Sequence, residues 1–147
     1  MLTQSDHADA LPEAVFAVWA DVAGRPAWDP EVRFASLDVP FAVGSRGRLV
    51  PVRGRPSRFE ITELDAPARH VIEVSLPLAR LRLVRSVAPQ GGGARVVHSV
   101  AFTGPLGWLF ARLLEPRFAR ALPSAVAGVC RRAEAGSAVT RTGDRSA

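Results

Sequence analysis

The sequence predicts an α+β fold: a curved antiparallel β-sheet wrapped around a long C-terminal α-helix, with two short helices after the first strand. Three observations carry this. Between residues 32 and 103, apolar and polar side chains alternate in short segments separated by turn residues at hairpin spacing. Gly104–Glu134 is the single segment long enough and apolar enough for a major helix. The alternation leaves one sheet face apolar and the other rich in arginine and acid. A sheet wet on one side needs a cover on the other, and the last helix supplies it.

The elements follow in order. A short first strand is expected over Leu2–His7, where the pattern itself is silent. Leu11-Pro12-Glu13-Ala14-Val15-Phe16-Ala17-Val18-Trp19 reads as a helix. Proline suits its first turn, Glu13 favours the positive end of the dipole, and Leu11, Val15, Val18 and Trp19 recur at helical spacing. Gly24–Pro30 breaks it. Ala23–Trp28 holds a second short helical turn, and Asp29-Pro30 is a stop because the residue before proline avoids the helical region. Strands follow at Val32–Leu37, Arg48–Val52, Arg58–Leu64, His70–Leu76, Ala79–Val87 and Ala94–Thr103. Turn chemistry separates them, with Arg53-Gly54-Arg55-Pro56 and Pro89-Gln90-Gly91-Gly92-Gly93 the clearest cases.

In the final helix, Leu106, Phe110, Leu113, Leu114, Phe118, Leu122, Val126 and Val129 form a broad apolar stripe. Pro116 and Pro123 each remove an internal hydrogen bond. A kink or break is therefore expected near Pro116, giving a shorter first helix and a longer final one. Residues 1–135 form a single domain in this reading. Residues 136–147 are small and polar, and are expected to fray as a flexible tail.

The 147 residues bury a normal core without staples, and 48% hydrophobic with 22% charged residues excludes a disordered chain. Cys130 is the lone cysteine, which rules out an internal disulfide and a cysteine-based metal cluster. A reducing, cytoplasmic location fits. The net charge is +5, all 19 basic residues are arginine, and lysine is absent. Arginine codons are GC-rich, so the bias fits a GC-rich bacterial genome and is not taken as a sign of nucleic-acid binding. Met1–Ala10 carries Asp6 and Asp9 without an apolar core, unlike a signal peptide. No run of about 18 apolar residues exists, so no transmembrane segment is expected.

Three stretches carry a resemblance to a known family. The first is the proline-acid opening of the first helix, residues 11–19. The second is the tryptophan-centred turn Arg25-Pro26-Ala27-Trp28-Asp29-Pro30-Glu31-Val32. The third runs from the glycine hairpin Gly91-Gly92-Gly93 through the last strand to Gly104-Pro105-Leu106. Over about residues 1–135 the chain resembles the SRPBCC superfamily, which includes START domains, birch-pollen-allergen-like proteins and polyketide cyclase/dehydrase-like proteins. The resemblance implies a helix-grip fold with a cavity between sheet and helix for an apolar or aromatic ligand. It implies no universal catalytic motif: some members are cyclases, aromatases or dehydrases, and many bind or carry lipids and hormones.

The residues themselves offer few polar candidates. His98 alternates with Val96, Val100 and Phe102 and so faces inward, where a histidine acts as acid or base near neutral pH, contacts a ligand, or simply bonds a core neighbour. Arg85 is in phase with Leu81, Leu83 and Val87. An inward arginine needs a partner such as a ligand carboxylate, phenolate or enolate. The preferred reading is instead that the strand twists or bulges and Arg85 escapes to solvent. Together, inward His98 and Arg85 would suit proton abstraction beside a carbonyl, and equally the binding of an acidic hydrophobe.

Leu83, Val96, Val100 and Phe102 from the strands, with Trp19, Phe110, Phe118 and Leu122 from the helices, are the candidate ligand-contact set. Trp19, Trp108, Phe110 and Phe118 are the aromatic candidates for lining a pocket for a flat ligand, although aromatic residues at helical spacing are more often ordinary core. Trp28 reads as a structural plug. Arg46, Arg48, Arg53, Arg55 and Arg58 cluster on one hairpin, which is either a solvated loop or a dock for an acidic carrier protein. No zinc spacing, nucleophile elbow or phosphate-cradling loop is present, so no metal or cofactor is expected.

Two functions follow. The first is binding of a small hydrophobic or aromatic, lipid- or polyketide-like ligand in the cavity. The alternative is a polyketide cyclase, aromatase or dehydratase using His98 and Arg85. A filled-core interaction module is a third, weaker reading.

Overall fold

A computed structural model describes the backbone of residues 1–145 and the side chains of residues 1–137. Strand β1 (Leu2–Ala8) leads to helix α1 (Pro12–Ala20) and a 3₁₀ turn (Val22–Ala27). Strands β2 (Val32–Leu37), β3 (Arg46–Pro51), β4 (Ser57–Asp65), β5 (Arg69–Leu76), β6 (Ala79–Gln90) and β7 (Gly93–Thr103) follow, then helix α2 (Gly107–Arg145). The strands form one seven-stranded antiparallel sheet in the order β1-β7-β6-β5-β4-β3-β2. β1 pairs with β7 rather than with β2, so α1 and the 3₁₀ turn carry the chain from one sheet edge to the other. The α+β class and the sheet around a C-terminal helix are as the sequence predicts.

The inner face carries two apolar clusters. One joins α1 and the later turns of α2, with Val15, Trp19, Val96, Val126 and Val129 at its centre. Val126 and Val129 are fully buried, and each such side chain contributes about 1.5–3 kcal/mol. The other spans β2 to β7, with Phe59, Ile61, Ile72 and Leu83, and meets α2 at Leu122. Outward positions make cross-strand ion pairs: Glu63 accepts from Arg69 at 2.9 Å and from Arg82 at 3.0 Å. The hydrogen bond from Arg69, more than any other contact, holds the Glu63 carboxyl below its usual range.

A bulge in β4 between Ile61 and Glu63 makes this possible. Strict alternation with Phe59 and Ile61 would turn Glu63 inward. The extra residue shifts the phase, so Glu63 faces out and Leu64 stands opposite His70.

Helix α2 departs from the expectation in two places. It runs through Pro116 and Pro123 as one helix, so the expected break near Pro116 is absent. The prolines deprive only the carbonyls of Arg112 and Ala119 of donors. Packing downstream, where Val126, Val129, Cys130 and Ala133 are buried, offsets that loss. The helix also continues past Ala135 to Arg145, where a tail was expected. Gly136 takes no positive φ and so does not cap the helix, and no proline follows it. The last two residues of that expected tail lie outside the described ones. Leu11, placed on the buried stripe of the first helix, is instead its exposed N-cap.

The start of α2 is set by the β5–β6 turn, Pro77-Leu78. The Leu78 carbonyl accepts the Leu106 N–H at 2.9 Å. Gly104 (φ 93°) lies so close that a Cβ there would sit 3.0 Å from Ala79 Cα. Leu78 itself is exposed and holds φ 53°, a left-handed conformation that asparagine adopts more readily. Leu78→Asn is therefore expected to raise the melting temperature by about 1–4 °C. A fall on thermal denaturation would show that the exposed leucine packs usefully after all.

Candidate functional site

A row of polar side chains crosses the inner face of the sheet. His70 stands opposite Arg85, and Arg85 opposite His98, with no register shift along β5, β6 or β7. Each keeps the inward phase of its apolar neighbours, and all three are buried. Arg85 is only 4% exposed, so the preferred expectation that it escapes to solvent is overturned. The irregularity that would have released it lies in β4 instead.

Each member is constrained by its partners. Trp19 Nε1 donates to His98 Nε2 at 3.1 Å. An indole N–H only donates, so Nε2 carries the lone pair and the neutral ring bears its proton on Nδ1. Burial first, then the charge of Arg85, holds the His98 pKa well below its usual value. His70 is packed against the ring edges of Trp19, Phe16 and Phe41. Its Nε2 lies 3.5 Å from Arg85 Nη1, and its Nδ1 has no partner among the described residues. Burial, with Arg85 second, pushes the His70 pKa down to about 2.

The 3₁₀ turn brings further groups to the same place. Arg25 Nε donates to Asp29 Oδ2 at 3.1 Å, one helical turn along, and both residues are buried. The Glu31 N–H donates to Asp29 Oδ1 at 3.1 Å. Both oxygens of Asp29 are thus engaged. Trp28 lies beneath the two cations, with Arg25 Cζ 5.7 Å and Arg85 Cζ 5.0 Å from its ring centroid. Gly128 lets Trp28 seat against α2, since a Cβ there would fall 2.6 Å from the Trp28 carbonyl oxygen. Burial and the charge of Arg25 lower the Arg85 pKa, and Asp29 opposes them.

These groups border a cavity of about 360 Å³ between the sheet and α2. Val74, Leu81, Leu83 and Val100 form its sheet wall. Phe110, Leu114, Phe118 and Leu122 form its helix wall. Arg25, Trp28, Arg85 and His98 supply a buried polar end. Glu31, Arg53, Arg55 and Arg117 line it nearer solvent. There Arg117 Nε donates to Glu31 at 2.8 Å and its Nη2 to the Arg53 carbonyl at 3.1 Å, tying α2 to the β3–β4 loop.

Of the predicted contact set, Leu83, Val100, Phe110, Phe118 and Leu122 line the cavity. Trp19, Val96 and Phe102 do not. Trp19 and Val96 belong to the solid cluster under α1, and Phe102 packs edge-on against Phe118 with ring centroids 6.0 Å apart. Trp108 is exposed. Trp28, read as a plug, borders the cavity. The hairpin arginines divide: Arg46 pairs with Glu60 at 3.1 Å, while Arg53 and Arg55 reach the cavity rim. Burial raises the Cys130 thiol to about 12, leaving it a small core hydrophobe.

Among the described residues, no group of histidine, cysteine or acidic side chains could hold a metal ion. No described helix is long and apolar enough to cross a membrane. Sequence reasoning passed over His70, although its phase with Ile72 and Val74 would have revealed it. Arg25 and Asp29 sit in and just after a 3₁₀ turn, where no periodicity points inward.

Comparison with known proteins agrees with this fold. The family model for polyketide cyclase/dehydrase and lipid transport matches residues 2–134. No curated protein sequence matches. Among solved structures, TTHA0849 from Thermus thermophilus has a TM-score of 0.72 at 24% identity, over 92% of this chain and 98% of that one. The di-domain ARO/CYC protein StfQ of the steffimycin biosynthetic pathway has a TM-score of 0.68 at 13% identity, over 91% of this chain and 49% of that one. Ara h 8.0201 has a TM-score of 0.62 at 14% identity, over 91% and 94%. At these identities the likeness is one of fold.

Proposed function

The chain belongs to the polyketide cyclase/dehydrase and lipid transport family, and on that premise we propose that it binds a small hydrophobic or aromatic ligand, lipid- or polyketide-like, between the sheet and the C-terminal helix. The observation that carries this is the cavity of about 360 Å³, walled by aliphatic and aromatic side chains with polar groups gathered at a buried end. That size and lining are those of small-molecule sites.

The enzyme alternative, a cyclase, aromatase or dehydratase using His98 and Arg85, is less well supported. A base needs a free lone pair toward the substrate. The one lone pair of neutral His98 is taken by Trp19. Both residues would therefore act as donors, which suits holding an oxygen more than removing a proton. An acidic carrier protein at the Arg46–Arg58 hairpin is not needed for this function, since Arg46 is paired and Arg53 and Arg55 border the cavity.

Titration with N-phenyl-1-naphthylamine, a neutral apolar fluorophore, tests the reading. Saturable enhancement is expected in the native protein. It should be lost in Ala121→Trp, which places an indole on the cavity wall of α2. A native protein that enhances neither this probe nor other apolar fluorophores would sink the proposal.

A further inference from the structure

Resting on that reading, we propose that the ligand is an apolar monocarboxylic acid whose carboxylate sits against Arg85 and His98 at the buried end of the cavity. The buried end of the cavity holds more donors than acceptors. Among the described residues, Arg85 is buried without a carboxylate partner of its own. The acid whose charge acts on Arg85, Asp29, has one oxygen on Arg25 Nε and the other on the Glu31 N–H. The hydrogen-bond partner of Arg85 there is His70 Nε2, a neutral ring at 3.5 Å, and the face of Trp28 completes its surroundings. A guanidinium carries five N–H donors in a planar fork, and most of them find no acceptor among the described residues.

The neighbouring groups add donors, not acceptors. His98 is fixed as an Nδ1–H tautomer by the bond from Trp19, so its remaining polar atom donates. Trp28, which also borders the cavity, leaves its buried Nε1–H without a partner among the described residues. A ligand that satisfies this end must accept several hydrogen bonds and carry negative charge. A carboxylate does both, and its two oxygens match the fork of an arginine side chain. An alcohol accepts fewer bonds and carries no charge, and an ammonium would meet Arg85 and Arg25 directly. The rest of the wall is apolar, so the body of the acid is a hydrocarbon or aromatic frame.

The test is competition against N-phenyl-1-naphthylamine at about pH 7.5, where a carboxylic acid is ionised, with a matched series: 2-naphthoic acid, 2-naphthalenemethanol and 2-naphthylmethylamine. The acid is expected to compete at least about tenfold better than the alcohol, with the amine weakest. The quantity read in each variant is the acid-to-alcohol ratio, so a general change of affinity cancels. In Arg85→Met and Arg85→Gln the ratio should fall to about twofold or less. A native protein that binds the fluorophore but shows equal competition by acid and alcohol overturns the head-group assignment and leaves the cavity reading intact. Failure of the fluorophore and all three competitors overturns both. An acid preference that survives in both Arg85 variants and disappears in Arg117→Ala would place the carboxylate at the rim and overturn the buried site.

Discussion

Acidifying the ligand-free protein from pH 7 to pH 5 is expected to remove about 2 kcal/mol of stability through His70, and His98 adds a loss of the same sign. Both histidines are held neutral in the folded state, by burial first and by the Arg85 charge second. Unfolding releases them to their ordinary pKa of about 6.5. Between that value and their lowered folded values, the unfolded chain binds more protons than the folded one. Stability therefore rises with pH across this window, is complete above about pH 7, and is lost as pH falls below about 6.5.

Glu63, whose folded pKa is lowered, adds to acid sensitivity only at a lower pH, near the carboxylate range. Denaturant midpoints at pH 7, 6 and 5 would show the slope. His98→Gln should make it shallower, since glutamine does not titrate. A midpoint unchanged from pH 7 to pH 5 would mean that neither ring is held neutral in the folded protein.

Replacing Arg85 with methionine is expected to raise the stability of the ligand-free protein by about 1–4 kcal/mol. The guanidinium is desolvated, and only a neutral imidazole and the Trp28 face compensate it among the described residues. Methionine fills much of the same volume and leaves no opposite charge stranded, because Asp29 keeps Arg25. The melting temperature should rise by about 3–12 °C. The acid slope should shrink as well, since the second cause of both histidine shifts is removed while burial remains. A melting temperature lower than that of the native protein would show that Arg85 is a structural strut and that its charge is already satisfied. Read with the competition experiment, a variant more stable yet less selective for acids would identify a residue kept for binding rather than for stability.

Much of this was legible in the sequence because it is local. The period-two alternation of Leu81, Leu83, Arg85 and Val87, and of Val96, His98, Val100 and Phe102, assigns each side chain to a face once the segment is a strand. The run from Gly104 to Glu134 announces the covering helix in the same way. Hairpin spacing then makes the sheet antiparallel, and an apolar face demands a lid. These inferences use neighbours only a few residues apart, and the pleat of a strand or the pitch of a helix supplies the rest.

What the tertiary structure alone decided depends on groups far apart in the chain. Whether Arg85 stays inward turned on an unbroken register with both neighbouring strands, while the bulge fell in β4. Whether His98 is a base or a donor turned on Trp19, 79 residues away, whose indole N–H takes the one lone pair. Whether Arg85 has a carboxylate partner turned on the 3₁₀ turn, beside which Asp29 engages both oxygens locally. Pro116 reads as a break from propensity alone, yet the helix continues because its downstream turns are buried against α1 and the sheet. Local geometry sets the face a side chain points to. Only packing sets what it meets there, and in a buried site that meeting determines charge, proton position and what a ligand must supply.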